Sequence, residues 1–339
     1  MKPQKTDRIC FAATLYAFLL YVVHCTDEEL RNTFFVFDHT MPRGLARRVA
    51  NSYQLPHIKR EGPTFRWVNW LRYRWNFWRH VPSMDNHTLI FAQDHPFAAS
   101  VLIGHRNYTF IEDSTRVCTN VYTRHHEVEK MQRERSKWFY PLMRRFYGPV
   151  LHNAWALNEQ CDSMLVSGID PHPWLKGKHQ KLVQPMNHTL WQSFSTEKQA
   201  FLIKAFDLTD EDMRMIESYE NVLLTQPLWT DAMTYEEHRD CYRRILAHYP
   251  KGSVIVKTHP RERFPYRKEF PDVAVFDKNV PMEMFNMLGT KFRRVITVFS
   301  TSVNQFDEHV EIDWFGASIH PKLKDYDTLI PPRAHQVVL

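Results

Sequence analysis

Short apolar runs recur along the chain and alternate with longer segments in which apolar residues follow a helical spacing. In the first half, such runs lie at residues 33–39, 87–95, 107–114 and 162–170. Most positions in them are apolar, which is typical of strands that are buried on both faces of a parallel sheet. Segments 42–53 and 96–106 predict helices between the strands. The pattern predicts an α/β fold.

The same alternation resumes in the second half of the chain. The predicted elements there are strands at 221–228, 253–260, 273–277 and 293–302, and helices at 234–250 and 281–292. A polar helical stretch at 195–220 separates the two halves. We therefore predict two Rossmann-like domains, residues 1–200 and residues 201–339, that face a central cleft.

The amino-terminal stretch RICFAATLYAFLLYVVH, residues 8–24, allows two interpretations. Its basic start, apolar middle and small residues are those of a signal peptide or a short anchor. Alternatively, Ile9 to Ala13 form a strand and Leu15 to His24 form a buried helix. We favour the second interpretation because the run is shorter than the roughly 20 residues that span a bilayer, and a strand follows it.

Composition restricts the classes of partner. The chain has 339 residues, of which 43% are hydrophobic, and a formal net charge of +6, which favours phosphates, nucleotides or an anionic membrane as partners. Zinc-finger spacing and RNP-like aromatic patterns do not occur in the sequence, so no nucleic-acid partner is expected. The five cysteines are scattered and form no CxxC motif, which predicts buried thiols in a reduced compartment.

Polar residues stand where several predicted strands end. Ligands of open α/β sheets bind at the carboxyl ends of strands. One strand ends on Lys257, His259 and Arg261, which can bind an anionic ligand such as a phosphate. By themselves these residues fit a solvated turn about equally well, so the choice depends on other signals. Glu112 and Asp113 end another, where either carboxylate can act as a general base or simply cap a turn.

Three further signals lie in the second half. Ser300, Thr301 and Ser302 follow a strand and open an apparent helix, which fits an anion site or an ordinary N-cap. Thr225 and Gln226 end a strand where polar side chains can contact a nucleobase. Glu283 lies in the first turn of a helix, where it is favoured by the helix dipole and can also bind a ribose diol.

The order of these elements resembles that of bacterial sialyltransferases, most closely glycosyltransferase family 52, the lipooligosaccharide sialyltransferase family. The matching stretches are ICFAAT, FIEDS, LLTQPL, KTHPRE, PMEMF and VFSTSVNQF, between residues 8 and about 310. The resemblance implies a GT-B-like fold and an inverting transferase that needs no metal or other cofactor. No acidic DxD motif at a strand end is present in the sequence.

The resemblance also implies roles for individual residues. Glu112 or Asp113 matches the family's catalytic base, although Ser114 stands where the family motif has glycine. His259 matches the histidine that contacts the donor phosphate and assists departure of CMP. The implied donor-binding residues are Thr225, Gln226, Lys257, Glu283, Ser300, Thr301 and Ser302.

The implied reaction is transfer of sialic acid from CMP-sialic acid to a galactoside or another glycan terminus of a cell-surface lipooligosaccharide or capsule. The alternatives are a hexosyltransferase on the same scaffold and a non-catalytic, membrane-associated glycan-binding protein. The expected partners are a nucleotide-sugar donor and a glycan or glycolipid acceptor, with a homodimer as a further option. The expected location is the cytoplasm, with peripheral contact at the inner membrane.

A basic aromatic segment, RWVNWLRYRWNFWRH at residues 66–80, is separate from these motifs. Trp67, Leu71, Trp75 and Trp78 fall on one helical face, with arginines around them. This face fits an interfacial helix on an anionic bilayer, or a stacking surface for carbohydrate. A core helix or a dimer contact is slightly favoured over membrane contact. Residues 132–149 repeat the same composition.

Overall fold

The computed structural model describes residues 6–58, 66–113, 133, 136–148, 155–169, 175–300, 302–303, 306, 308–324, 331 and 333–338. The chain forms two compact units. The first comprises Met1–Pro185 with Ser195–Phe201, and the second comprises Met186–Phe194 with Leu202–Leu339. Each unit is built on one parallel sheet.

The first unit has a seven-stranded sheet in the order β3-β2-β1-β4-β5-β6-β7. All neighbouring strands in it are parallel. The strands are β1 (Arg8–Ala12), β2 (Thr33–Phe37), β3 (Ser52–Gln54), β4 (Leu89–Ala92), β5 (Tyr108–Ile111), β6 (Cys161–Val166) and β7 (His179–Leu182). The order reverses between β1 and β4, and such a switch point opens a crevice at the carboxyl ends of the strands.

Helices connect these strands. They are α1 (Leu15–His24), α2 (Asp27–Arg31), α3 (Leu45–Arg48), α4 (Arg66–His80), α5 (Phe97–Ile103) and α6 (Tyr140–Tyr147). The predicted helix at 42–53 is wrong in extent, because only α3 is helical there and β3 follows it. β3 and β7 are short and partly exposed, so they lack the apolar run that reveals buried strands.

The interpretation of the amino terminus as a strand and a helix is confirmed. β1 is almost wholly buried, and Leu15 to Val23 of α1 are all buried. The Oγ1 of Thr14 accepts the N–H of Ala17, which caps α1 and ends the strand-to-helix turn. Among the described residues, no helix is long and apolar enough to cross a membrane.

The second unit has a six-stranded parallel sheet in the order β10-β9-β8-β11-β12-β13. Its strands are β8 (Asn221–Leu224), β9 (Val254–Lys257), β10 (Ala274–Phe276), β11 (Arg294–Thr297), β12 (Glu311–Trp314) and β13 (Ala334–Gln336). The order again reverses, here between β8 and β11. The ends of these two strands therefore flank the expected ligand position.

The helices of the second unit follow the same alternation. They are α7 (His188–Gln192), α8 (Thr196–Phe206, which begins in the first unit), α9 (Asp210–Glu217), α10 (Leu228–Asp231), α11 (Tyr235–Ala247), α12 (Tyr266–Glu269) and α13 (Met282–Leu288), with 3₁₀ turns at Ala317–Ile319 and Pro321–Leu323. The single helical stretch predicted at 195–220 is two helices, because Asp207 adopts a left-handed φ of 57° between them.

Each unit has its own apolar core, formed by the strands and the inner faces of the helices. The cysteines follow the prediction of buried thiols: Cys10, Cys25, Cys161 and Cys241 are free and buried, and Cys118 lies outside the described residues. Burial raises the pKa of the Cys161 and Cys241 thiols to about 12, so both stay protonated at neutral pH.

The tryptophan face of α4 is not a core face, so the core-helix interpretation of this segment is wrong. Asn69, Tyr73 and Phe77 are buried, at 8%, 7% and 8% exposure, and the ring of Tyr73 packs against Phe97 of α5. Trp75 and Trp78, on the other side, are more than half exposed.

Candidate active site

Gln93, the residue after β4, organises the carboxyl edge of the first sheet. It is fully buried, and its Oε1 accepts the backbone N–H groups of Ala13 (2.5 Å) and Thr14 (3.1 Å) after β1. Its Nε2 donates to Oδ1 of Asp113, and the Thr14 hydroxyl donates to the Asp113 carbonyl (3.0 Å). Gln93 therefore fixes the Asp113 carboxylate at the switch point between β1 and β4.

The two carboxyl groups after β5 have different environments. Glu112 is 1% exposed, and its Oε2 accepts the backbone N–H of Ser167 (2.6 Å), which fixes the end of β6. The Asp113 side chain is 23% exposed at the sheet edge. Partial burial raises the pKa of Asp113, and His95 and Gln93 oppose that rise. Asp113 is thus the carboxyl group that a substrate can reach.

His95 lies beside Asp113, with its Nε2 3.7 Å from Oδ1. Its ring stacks on Trp155, with centroids 4.3 Å apart and an interplanar angle of 8°. The buried Asp94 holds the turn that carries Trp155, because its carboxylate accepts the Tyr108 hydroxyl (2.6 Å) and the Ala156 N–H (2.8 Å).

Sequence reasoning missed Gln93, His95 and Trp155. The stretch AQDH after β4 carried the same signal that identified the other strand ends, namely polar residues directly after a buried strand. Trp155 carries no such signal in the sequence, and its place beside His95 depends on the fold.

In the second unit, the ends of the neighbouring strands β8 and β9 are joined through Thr225 and His259. The backbone N–H of His259 donates to the Thr225 hydroxyl (3.0 Å), and the Thr225 N–H donates to the Lys257 carbonyl (3.2 Å). The next residue, Gln226, donates its N–H to the Tyr242 hydroxyl (2.8 Å). The structure therefore brings together two of the predicted donor-binding stretches.

The ring of His259 is oriented by its own turn. Its Nδ1 accepts the N–H of Arg261 (3.1 Å), so in the neutral ring the proton is on Nε2. Burial, with the nearby charges of Arg261 and Lys257, lowers the pKa of His259 to about 4. At neutral pH the side chain is a neutral hydrogen-bond donor rather than a cation.

Lys257 lies at the end of β9, as predicted, but its side chain is buried. It is 7% exposed, and its Nζ lies 3.3 Å from the Thr258 carbonyl and 5.8 Å from the ring centroids of Phe276 and Phe285. Burial lowers the pKa of Lys257 to about 8, and the charge of Glu283 opposes this shift. Lys257 and the buried Glu283 thus interact inside the unit, close to the end of β9.

The serine-threonine stretch follows β11, on the other side of β8. The N–H of Ser300 donates to the Thr297 hydroxyl (2.9 Å), and the N–H of Ser302 lies 3.4 Å from the Ser300 hydroxyl. Ser300 is buried, whereas Thr301 lies outside the described residues. Residues 302–303 form a 3₁₀ turn, so the described part does not show the predicted helix start.

A buried polar cluster lies beneath the His259 turn. Glu262 accepts the N–H groups of Arg263 (2.9 Å) and Phe264 (3.0 Å) and the indole N–H of Trp229 (3.2 Å). The Tyr266 hydroxyl lies 3.3 Å from the Glu262 carboxylate and 2.9 Å from Nε2 of His238. This cluster ties the turn after β9 to α10 and α11.

The cluster also has a defined charge state. Burial lowers the pKa of His238 to about 3, which keeps its ring neutral, and burial raises the pKa of Glu262. The Nδ1 of the neutral His238 ring accepts the backbone N–H of Trp229 (3.2 Å). The ring proton is therefore on Nε2, which donates to the Tyr266 hydroxyl oxygen. Within the described residues, no group of three or more His, Cys, Asp or Glu side chains is arranged to hold a metal ion.

Comparison with known proteins confirms the predicted resemblance over part of the chain. Residues 176–323 match the family model of glycosyltransferase family 52. An uncharacterized protein of Haemophilus influenzae is 33% identical over 135 residues, which are 40% of this chain and 44% of that protein. The chain thus matches less than half the length of this curated relative.

Solved structures match nearly the whole chain. A 2,6-sialyltransferase of a Photobacterium species, in complex with CMP and lactose, has a TM-score of 0.61 at 11% identity and covers 91% of this chain and 71% of that chain. An α/β-galactoside α-2,3-sialyltransferase of Photobacterium phosphoreum has a TM-score of 0.58 at 10% identity, over 95% and 94% of the two chains.

The fold class is fixed by a third structure. The GT-B domain of the Photobacterium damselae sialyltransferase has a TM-score of 0.54 at 13% identity and covers 92% of this chain and 90% of that domain. The predicted GT-B-like fold is confirmed. At these identities the similarity establishes the fold alone, and the reaction has to be argued from the residues of the site.

Proposed function

We propose that this chain, whose residues 176–323 match glycosyltransferase family 52, is an inverting sialyltransferase that uses CMP-sialic acid as its donor. One observation carries the proposal: within the family-52 region, the end of β8 holds the turn of His259 through Thr225 and leaves a neutral ring with Nε2–H as its donor. A group of this kind, one strand away from the switch point between β8 and β11, suits the phosphate of a nucleotide.

We propose Asp113 as the general base. Its carboxyl group is partly exposed, its position is fixed by Gln93, and its raised pKa makes it a better proton acceptor than an ordinary aspartate. Glu112 supports the end of β6 instead, because its carboxylate is occupied by the Ser167 N–H. This assignment selects one of the two carboxyl groups that the sequence offers.

The proposed reaction is a single displacement. The acceptor hydroxyl loses its proton to Asp113 while its oxygen forms a bond to the anomeric carbon of sialic acid. The bond from that carbon to the phosphate oxygen breaks on the opposite face, so the configuration inverts, and CMP leaves with the bonding electrons. This scheme calls for no metal ion or other cofactor.

His259 acts on the leaving group in this scheme. A donor in a partly buried site stabilises the charge that develops on the phosphate, since a low local dielectric strengthens the hydrogen bond. The bound phosphate also raises the pKa of the ring, which brings proton donation closer to neutral pH. Ser300, Thr301 and Ser302 are the proposed further contacts to the phosphate.

The rest of the donor is assigned to the neighbouring strand ends. Thr225 and Gln226 are the proposed contacts to the nucleobase, and Glu283 is the proposed contact to the ribose, with Lys257 beside it as its charge partner. Because Glu283 is buried, this assignment requires its side chain to become accessible when the donor binds.

The neighbours' ligands support the substrate class. The Photobacterium 2,6-sialyltransferase structure contains CMP and lactose, and the Photobacterium phosphoreum protein is described as a galactoside sialyltransferase. We therefore propose a galactoside-type glycan terminus as acceptor, on a cell-surface lipooligosaccharide or capsule that is built in the cytoplasm.

Calorimetric titration of the full chain with CMP, UDP and GDP tests the donor assignment. We expect CMP to bind at least about tenfold more tightly than UDP or GDP. His259→Ala should weaken the binding of CMP by about tenfold or more, because the variant loses a hydrogen bond to the charged phosphate. Asp113→Asn is the matched control and should bind CMP normally. Preference for UDP or GDP would instead identify a hexosyltransferase.

A further inference from the structure

The outer face of α4 is an exposed apolar stripe, here called the tryptophan stripe: Trp67, Leu71, Trp75 and Trp78. Their exposed fractions are 58%, 50%, 58% and 59%. Successive helical residues advance by about 100°, so the four side chains fall within an arc of roughly 80°. Large apolar side chains that are exposed together, rather than singly, mark an interaction surface.

The opposite face of α4 fixes the helix to the first unit. Asn69, Tyr73 and Phe77 are each no more than 8% exposed, and Tyr73 packs against Phe97 of α5 with ring centroids 6.1 Å apart. The orientation of the helix is therefore set by its buried face. The tryptophan stripe is therefore on the solvent-exposed side of α4, and no movement of the helix is needed to expose it.

The charge of α4 has a single sign. The helix contains four arginines and no acidic residue. Arg72, Arg74 and Arg79 are exposed, and Arg74 lies over the ring of Trp70 at 4.8 Å. By the same helical angles, Arg74 lies about 20° beyond one edge of the stripe, and Arg72 and Arg79 lie along its other side. The surface thus combines tryptophan with positive charge.

A second helix with this composition is anchored to the same part of the unit. Leu142 and Phe146 of α6 are 58% and 61% exposed, and Arg145 is exposed beside them. The Arg145 carbonyl lies 3.2 Å from the ring nitrogen of His105, just after α5. A Cβ at Gly148 would lie 2.3 Å from the Gly104 carbonyl oxygen, so only glycine allows this close approach.

We propose that the tryptophan stripe of α4 binds the surface of an anionic lipid bilayer. Tryptophan prefers the interface between lipid and water, and arginine is attracted to anionic headgroups. A helix that lies in the interface buries its apolar face and keeps its opposite face on the protein, as α4 does. The exposed apolar residues of α6, which is anchored just after α5, have the same chemistry.

A bilayer fits this charge better than a second copy of the chain does. In a two-fold dimer the same patch meets itself, so positive charge would meet positive charge with no acidic residue of α4 to neutralise it. An anionic membrane instead supplies the opposite charge over the whole stripe. This inference does not depend on the transferase activity and adds a binding surface to it.

Flotation of the full chain with phosphatidylcholine vesicles, with and without phosphatidylglycerol, tests the proposal. We expect binding to the anionic vesicles that weakens as salt is added. Trp75→Ser with Trp78→Ser should lower the partition coefficient by at least about tenfold, because two exposed indole rings no longer enter the interface. Arg72→Glu with Arg79→Glu should have a similar effect.

Matched controls separate the stripe from general effects. Leu182→Ser removes an apolar side chain that is 56% exposed on β7, and Arg214→Glu with Arg244→Glu makes the same charge change on exposed helices of the second unit. Both should float like wild type. Equal loss in the controls, or unchanged flotation of the Trp75/Trp78 variant, would overturn the proposal.

Two other outcomes would also overturn it. Sedimentation equilibrium of the same proteins without lipid measures their oligomeric state. A dimer that dissociates in the Trp75/Trp78 variant, with no vesicle binding by wild type, would assign the stripe to a second copy. Binding of soluble oligosaccharide that is lost in the same variant, again with no vesicle binding, would assign it to carbohydrate.

Discussion

Adjacent carboxyl groups after β5 have different surroundings because side chains of an extended chain alternate in direction. Glu112 points into the unit and accepts the Ser167 N–H, whereas Asp113 reaches the sheet edge and meets Gln93 and His95.

We expect Asp113→Asn to lower kcat by about 100- to 10,000-fold, the usual loss when a general base is removed. Binding of CMP should not change, because Asp113 is proposed to contact the acceptor hydroxyl and not the nucleotide.

Glu112→Gln is the matched control for this prediction, because it removes a charge one residue away and keeps an oxygen for the Ser167 N–H. It should keep kcat within about threefold of wild type, with at most a modest loss of thermal stability. The assignment fails if the Glu112 variant loses activity and the Asp113 variant does not.

The pKa of Asp113 gives a second prediction at this scale. Because burial raises that pKa, Asp113 becomes protonated at a higher pH than an ordinary aspartate does. Activity that needs the ionised form should therefore be lost at a higher pH when the solution is acidified. Gln93→Glu keeps an oxygen for the Ala13 and Thr14 N–H groups but places a like charge beside Asp113. We expect the acid limb of the kcat/KM profile to move to higher pH.

The same substitution has a consequence for stability. A carboxyl group whose pKa is raised by folding destabilises the folded state at neutral pH, and this cost disappears as the pH falls through the raised pKa. Gln93→Glu should therefore lower Tm most at neutral pH. Gln192→Glu, on the exposed α7, is the control and should move neither the pH profile nor Tm; an unmoved acid limb in the Gln93 variant would contradict the proposed role of Asp113.

At the scale of elements, neighbouring strand ends position the candidate groups. β8 and β9 are adjacent in the sheet, so Thr225 can accept the His259 N–H although the two residues are 34 positions apart. β11 lies on the other side of β8, where the Thr297 hydroxyl lies 3.4 Å from the Leu224 carbonyl and supports the start of the Ser300 turn.

We expect Thr225→Val to lower kcat/KM by about tenfold or more, because the His259 N–H loses its acceptor and the turn shifts. Thr225→Ser keeps the hydroxyl and should recover most of the activity. CMP affinity and Tm, measured for both variants, separate a displaced turn from a damaged fold. Equal activity in the two variants would show that the hydroxyl does not position His259.

Element patterns explain which parts of the fold the sequence predicted. Strands buried on both faces, such as β1 and β9, appear as apolar runs, and the polar residues after them indicated Thr225 and His259. β3, β7 and β13 lack fully buried positions and were missed. β12 was also missed, because the buried Asp313 interrupts its apolar run. The cluster of His238, Glu262 and Tyr266 was also missed, because its members come from segments with no common sequence pattern.

At the scale of the whole molecule, two parallel sheets with the same kind of order reversal account for the GT-B-like fold. The alternation of strands and helices predicted two Rossmann-like domains, and the family resemblance implied the GT-B-like fold. The strand order within each sheet had to come from the structure. The proposed reaction assigns the base to the first unit and the phosphate-binding histidine to the second. Neither unit is therefore expected to transfer sugar by itself.

The most direct measurement is transfer from CMP-sialic acid to lactose by the full chain, followed by NMR of the product's anomeric configuration. The account predicts a sialylated product with inverted configuration, formed by wild type and almost absent with Asp113→Asn or His259→Ala. A product of retained configuration, or full activity in either variant, would contradict it.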